Sequence, residues 1–199
     1  MPFDYEYDWR EMPNIFYIQP FALDMHYGRE INKHIEPLPD DAWVVLQDYD
    51  ILYLTPDFGR IIHNAIVEYG DDTDLFTCQT NRIGNHKRCY NGEFSHERDI
   101  AHHMRIARSL QREHGHNCED IKDRIVAGMF MVFPKRVWLE NKFDDKPIID
   151  TENNKMTSFD VRWTEKIKGN MRKILGLYVW HSYRLDRQHH SDFQHLIKE

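Results

Sequence analysis

Cysteine is scarce in this chain: three residues, an odd number, do not make a disulfide framework. Glycine and proline are sparse as well, at 9 and 8, which excludes collagen-like and low-complexity classes. No apolar run approaches the roughly 18 residues of a membrane span. A basic excess is also missing. The 199 residues carry 26 Lys and Arg against 33 Asp and Glu, a formal charge of −7. Non-specific grip on a phosphate backbone needs a basic face, so nucleic acid is not the expected partner. The stretch MPFDYEYDWREMP at the start is acidic and aromatic and lacks the basic and apolar regions of a secretory leader. With so few cysteines, the expected compartment is the reducing cytoplasm.

Apolar residues make up 41% and charged residues 30%, the balance of one ordinary globular domain over residues 1–199. Apolar β-branched runs at 15–20 (IFYIQP), 42–47 (AWVVLQ), 75–79 (LFTCQ) and 125–133 (IVAGMFMVF) read as buried strands. Met171, Leu175, Leu177 and Trp180 bound two further short strands. Helical patterns lie between them. Ile31 and Ile35 are four apart in the segment 27–35, which prolines 37 and 39 stop. Thr55-Pro56-Asp57 is a helix-start signal before a stripe of Ile61, Ile62, Ala65, Ile66 and Tyr69 that ends at Gly70. Residues 100–113, a short helix after Pro134, and 157–169 with Gly169 as its stop complete the set. Residues 80–98 read as a long polar loop and 144–156 as a polar, mobile stretch. Strands alternating with helices predict an α/β layered fold.

The most informative local pattern is Asp48-Tyr49-Asp50, directly after the apolar run 42–47. In open α/β sheets, ligands bind beyond the carboxyl ends of strands. Two carboxylates one residue apart can share a hard divalent cation and set it against a diphosphate. A turn with two solvated acids is the plain alternative. Two chemistries use such a pair: nucleotide-sugar glycosyl transfer, and haloacid-dehalogenase-type phosphoryl transfer with Asp48 as nucleophile. The second usually continues with Gly-Thr or Gly-Val, whereas this chain continues with Ile51-Leu52.

Several segments resemble one family in the correct order. These are YGREIN at 27–32, PDDAWVVLQDYDILYL at 39–54, AGMFMVFPK at 127–135 with Trp138 and Phe143, and LYVWHSYR at 177–184. Together they resemble the inverting, family-2-type glycosyltransferases of the A-type (GT-A) fold, over roughly residues 14–185. The resemblance implies a single-domain, Rossmann-like mixed sheet flanked by helices. It implies transfer of a sugar from a UDP- or GDP-linked donor to a glycan or other hydroxyl acceptor, with Mn²⁺ or Mg²⁺. On it, Asp48, Asp50 and His181 hold the metal and Asp160 is the catalytic base. Gln19, Asp24, Gly28, Asn32, Asp48, Gly128 and Arg184 line the donor, and Tyr183 lies near the diphosphate. The family's first β-α-β unit is compressed here into residues 14–28, with Asp24 standing in for its base-reading acid. Of the family's Glu-Asp pair, only Asp160 is present.

Each of these residues also has a purely structural reading. Thr157-x-x-Asp160 resembles a capping box, His181 could be a satisfied buried histidine, and Arg184 a surface ion-pair partner. Gly28 could be a turn, Asn32 a solvated helix residue, and Gly128 a packing glycine. The thirteen histidines raise a rival metal centre. Cys78, His86, Cys89, His114, His116 and Cys118 cluster in sequence, but structural zinc needs two tight ligand pairs and only His86-x-x-Cys89 supplies one. The rival to an enzyme is therefore a zinc-stabilised interaction module.

Overall fold

The computed structural model describes residues 12–146, 149–150, 155–156 and 159–182. Nine strands and five α-helices run in the order β1 (Ile15–Ile18), α1 (Tyr27–Ile35), β2 (Trp43–Gln47), β3 (Ile51–Tyr53), α2 (Phe58–Tyr69), β4 (Thr73–Thr80), α3 (Ile100–His114), β5 (Cys118–Asp120), β6 (Phe130–Pro134), α4 (Lys135–Glu140), β7 (Ile149–Asp150), β8 (Lys155–Met156), α5 (Phe159–Thr164) and β9 (Asn170–His181). Seven strands form one mixed sheet in the order β1-β2-β6-β4-β9-β3, with β5 also on β9. The pairs β1–β2 and β4–β9 are parallel, while β6 runs antiparallel between β2 and β4.

The strands read as unbroken apolar runs because both faces of the sheet are covered. Successive side chains feed opposite layers. Val44, Leu46, Met131 and Phe133 join Ile31 and Ile35 of α1, Trp138 of α4 and Trp163 of α5 on one face. Val45, Phe130, Val132 and Phe76 meet Ile61, Ile62, Ala65 and Ile66 of α2 on the other. Helix α3 packs Ala107 and Leu110 on Tyr178 of β9. The resulting α/β architecture, a mixed open sheet between helices, is compatible with a Rossmann-like fold. No helix among the described residues is long and apolar enough to cross a membrane.

Several boundaries differ from the sequence reading, each for a packing reason. Strand β6 begins at Phe130, not 125, and Gly128 lies in the turn that enters it. Helix α5 stops at Thr164. Gly169 lies beyond its end, where Asp74 receives the Gly169 N–H at 2.9 Å and leaves no room for a side chain. The two expected C-terminal strands are one, β9, with its register on β4 broken between Cys78 and Gln79. There Gln79 Nε2 donates to the Leu175 carbonyl at 2.7 Å, and Gly176 passes so close to the Gly115 carbonyl that a Cβ would collide. Thr55 is not a helix cap. Its hydroxyl accepts the Tyr178 N–H at 2.8 Å, which ties the irregular part of β9 to the start of α2. Of residues 144–156, expected to be mobile, the described ones are held: Asp144 takes a two-point contact from Arg162, and β7 pairs with β8.

Candidate metal centre and its cavity

The Asp-x-Asp turn is held at both ends. Asp48 N–H donates to the Met129 carbonyl at 3.0 Å, beside the β2–β6 pairing. At the other end β3 pairs antiparallel with β9, setting Ile51 opposite His181. Ser182 then donates its N–H to the Asp50 carbonyl at 2.9 Å and its hydroxyl to Asp50 Oδ2 at 3.1 Å. The last residues of β9 therefore meet the end of β2 across the sheet, although about 130 positions separate them in sequence.

His181 is 3% exposed and clamped on three sides. Its N–H donates to Asn81 Oδ1 at 2.6 Å, and Asn81 Nδ2 donates back to its carbonyl at 3.2 Å. Its Nδ1 lies 3.1 Å from the Arg82 carbonyl, an acceptor only, so Nδ1 carries the proton. Nε2 then faces Asp50 Oδ1 at 3.2 Å and Asp48 Oδ2 at 4.0 Å. Two lone-pair atoms at such separations need something positive between them, either a proton on Nε2 or a cation. One ligand atom from each of Asp48, Asp50 and His181 lies within 4.8 Å of the others, a grouping that suits a divalent ion. Two carboxylates and one imidazole are a donor set that can hold a divalent cation. The Nδ1–H···O=C bond is the usual support of a metal-binding histidine.

The electrostatics set the two acids apart. Burial pushes Asp48 up to about 6; the His181 charge opposes this, and Asp50 and Asp160 add to it. Asp48 keeps 44% of its side chain open to the cavity, but its surroundings are largely protein, so water screens it poorly. Asp50 also feels burial, yet the hydrogen bond and charge of His181 and the Ser182 hydroxyl hold it below the ordinary carboxylate value.

These residues form one wall of a cavity of about 410 Å³. Gln19, Gly128 and Asp160 line it too. Asp160, in the first turn of α5, accepts the Gly128 N–H at 2.6 Å on Oδ2 and the Val161 N–H at 2.8 Å on Oδ1. Burial raises its pKa in spite of those two bonds. A Cβ on residue 128 would lie 3.2 Å from Asp160 Cβ and 3.0 Å from Phe159 Cζ, so glycine is what lets α5 approach.

Three expected donor residues lie elsewhere. Asn32 receives Trp138 Nε1–H at 2.7 Å and Phe143 N–H at 3.1 Å, and donates to the Phe143 carbonyl at 2.8 Å; it pins α1 to the chain after α4. Gly28 is pressed against the Asp144 carbonyl, where a Cβ would stand 2.0 Å away. Asp24 is exposed and paired with Arg29. None of the three lines the cavity. Tyr183, Arg184 and the capping partner Thr157 lie outside the described residues. Among the described residues, the cysteines and histidines of 78–118 do not gather into a ligand set. Cys78 and Cys89 are buried free thiols, and His116 bonds Glu68 at 2.7 Å.

Sequence reasoning missed Asn81 and the Arg82 carbonyl, which orient His181, and the Tyr27–Phe159 stack in the cavity wall, 5.9 Å between centroids and 8° from parallel. The available signal was Asn81-Arg82 immediately after an apolar strand. No family model, curated protein or solved structure matches this chain.

Proposed function

We propose that this protein is a metal-dependent glycosyltransferase that moves a sugar from a nucleoside-diphosphate donor, UDP- or GDP-linked, to a hydroxyl of a glycan or other acceptor, with inversion. The observation that carries the reading is the convergence of Asp48, Asp50 and His181 on one cavity wall that also bears Asp160. On this reading Asp50 and His181 hold Mn²⁺ or Mg²⁺, with Asp48 completing the set. The cation supplies positive charge against the diphosphate leaving group. The chain's own residues do the rest. Asp160, fixed by two backbone N–H groups and made more basic by burial, takes the proton of the acceptor hydroxyl. The acceptor oxygen forms the new bond to the anomeric carbon as the bond to the diphosphate breaks, which inverts that carbon. Gln19, Tyr27 and Phe159 line the space for the donor.

The mixed sheet is compatible with the A-type fold of this class, and the three free thiols suit a reducing compartment such as the cytoplasm. The phosphatase alternative usually continues the Asp-x-Asp with Gly-Thr or Gly-Val, and this chain continues with Ile51-Leu52. The test is to incubate the full chain with a panel of nucleotide sugars, Mn²⁺ and simple glycoside acceptors. Metal-dependent release of nucleoside diphosphate, with a product of opposite anomeric configuration, is the expected result. Release of inorganic phosphate from phosphomonoesters, or a product of retained configuration, contradicts the reading.

A further inference from the structure

Arg82 is a buried cation for which the transfer chemistry has no use. It follows β4, is 2% exposed, and gives its carbonyl to His181. Its side chain is less well served. Nε is enclosed and has no hydrogen-bond partner. The guanidinium lies over the Phe94 ring, its central carbon 4.5 Å from the centroid. Among the described residues no carboxylate pairs with it. Two acids of the neighbouring loops are committed elsewhere: Glu97 accepts the N–H groups of Arg98 and Asp99 at 2.7 and 2.8 Å, and Asp123 pairs with Arg88 and Lys87. Burial, and after it the charge of Arg98, another cation, push its pKa down.

An enclosed nitrogen without a partner is shared by Arg88 Nε and Arg162 Nη1. What Arg82 lacks is a carboxylate: Arg88 has Asp123, Arg162 has Asp144 in a two-point contact, and Arg172 has Asp72 and Asp120. A guanidinium taken from water without an anion is costly, and an aromatic face recovers only part of that cost. If packing on Phe94 were the whole role, an apolar side chain would serve better. His86 and His96 flank Phe94, with ring centroids 5.7 and 5.2 Å away.

We propose that Arg82, with Arg98 beside it, is an anion-binding element that takes the phosphoryl oxygens of a ligand lying against Phe94. A planar fork of N–H donors matches a phosphoryl group in geometry and charge. The proposal stands apart from the transferase reading, because it requires neither the metal nor a transfer step. Phosphoryl oxygens could come from a donor diphosphate or from a phosphorylated acceptor, and the choice of probe separates these sources.

The experiment titrates inorganic pyrophosphate and inorganic phosphate separately into the full chain in chelator, by calorimetry, and records melting temperature without ligand. Arg82→Met and Arg98→Gln are compared with the parent. The expected result is binding by the parent, at least tenfold weaker in Arg82→Met and severalfold weaker in Arg98→Gln. Without ligand, Arg82→Met should melt no lower than the parent, because it removes an uncompensated buried charge. Preference for pyrophosphate assigns the subsite to a diphosphate; equal affinity for phosphate assigns it to a monoester. The proposal is overturned if the parent binds neither anion without metal, or if Arg82→Met binds as the parent does. A ligand-free Arg82→Met that melts well below the parent also overturns it, since that is the signature of a structural arginine. Should Arg82→Met fail to fold, unchanged affinity in Arg98→Gln has the same force.

Discussion

Asn32, within α1, and Asp48, just after β2, both looked like ligand-binding residues. Asn32 makes three hydrogen bonds, all to Trp138 and Phe143, so its capacity is spent on holding α1 to the segment after α4. Asp48 makes no side-chain hydrogen bond among the described residues; its charged neighbour, His181 Nε2, is 4.0 Å away. A polar group saturated by its own protein belongs to the fold. A group left short of partners at a cavity wall is where a ligand gains most. By that criterion Asp48 is the ligand candidate and Asn32 belongs to the fold.

The comparison can be broken, most severely at Asp160. Asp160→Asn keeps the shape but has one acceptor oxygen where Asp160 uses two, so it can keep only one of the Gly128 and Val161 N–H bonds; stability should fall by about 1–3 kcal/mol with the fold kept, and Mn²⁺ affinity should match the parent. Transfer should fall by about 10²–10⁴-fold, the usual loss of a general base. Near-parental turnover in a transfer assay would return Asp160 to a purely structural role. Gly128→Ala is next. Its Cβ would press on Phe159 and the Asp160 side chain, and moving a base out of line should cost about 10- to 100-fold in turnover with metal affinity intact.

Asn32→Leu probes the saturated side. It strands Trp138 Nε1–H and Phe143 N–H, so denaturant unfolding should show a loss of about 2–4 kcal/mol. Metal affinity should not change. The opposite pattern, normal stability with lost metal binding, would erase the distinction drawn above.

The smallest effect concerns pH. In the metal-free protein Asp48 is pushed from the ordinary 3.8 to about 6, so its protonated form favours the fold. That contribution is complete below pH ~4 and lost as pH rises through about 6. Asp48→Asn should remove it, and the stability of the parent relative to this variant should decline across that window. A flat difference would mean that the surroundings of Asp48 do not disfavour its charge. With cation present the proton and the metal compete, so parent affinity for Mn²⁺ should rise through the same range.

The buried runs, the span of α1, the helix ending at Gly70 and the Asp-x-Asp turn were legible because each is a local pattern of period, cap or composition. Strands β3 and β5, three residues each, were not legible, since such lengths carry no period. The single strand β9 was hidden by its irregularity at Gly176, a glycine required by the Gly115 carbonyl and not by a turn. Within the site, Asp48 and Asp50 announced themselves by spacing. His181 was placed by resemblance alone, because pairing of β3 with β9 is what brings it to Asp50. Asn81 and Arg82 act on His181 through one amide and one carbonyl, and a backbone carbonyl has no signature in a sequence.

The most direct test of the account is a titration of Mn²⁺ into the metal-free full chain at pH 7.5, followed by calorimetry, for the parent, Asp50→Ala, His181→Ala and Asn32→Leu. The account predicts one ion per chain for the parent and for Asn32→Leu. It predicts affinity reduced by at least about 10- to 100-fold in Asp50→Ala and His181→Ala, with both variants still folded. A parent that binds neither Mn²⁺ nor Mg²⁺, or Asp50 and His181 variants that bind as the parent does, would contradict it.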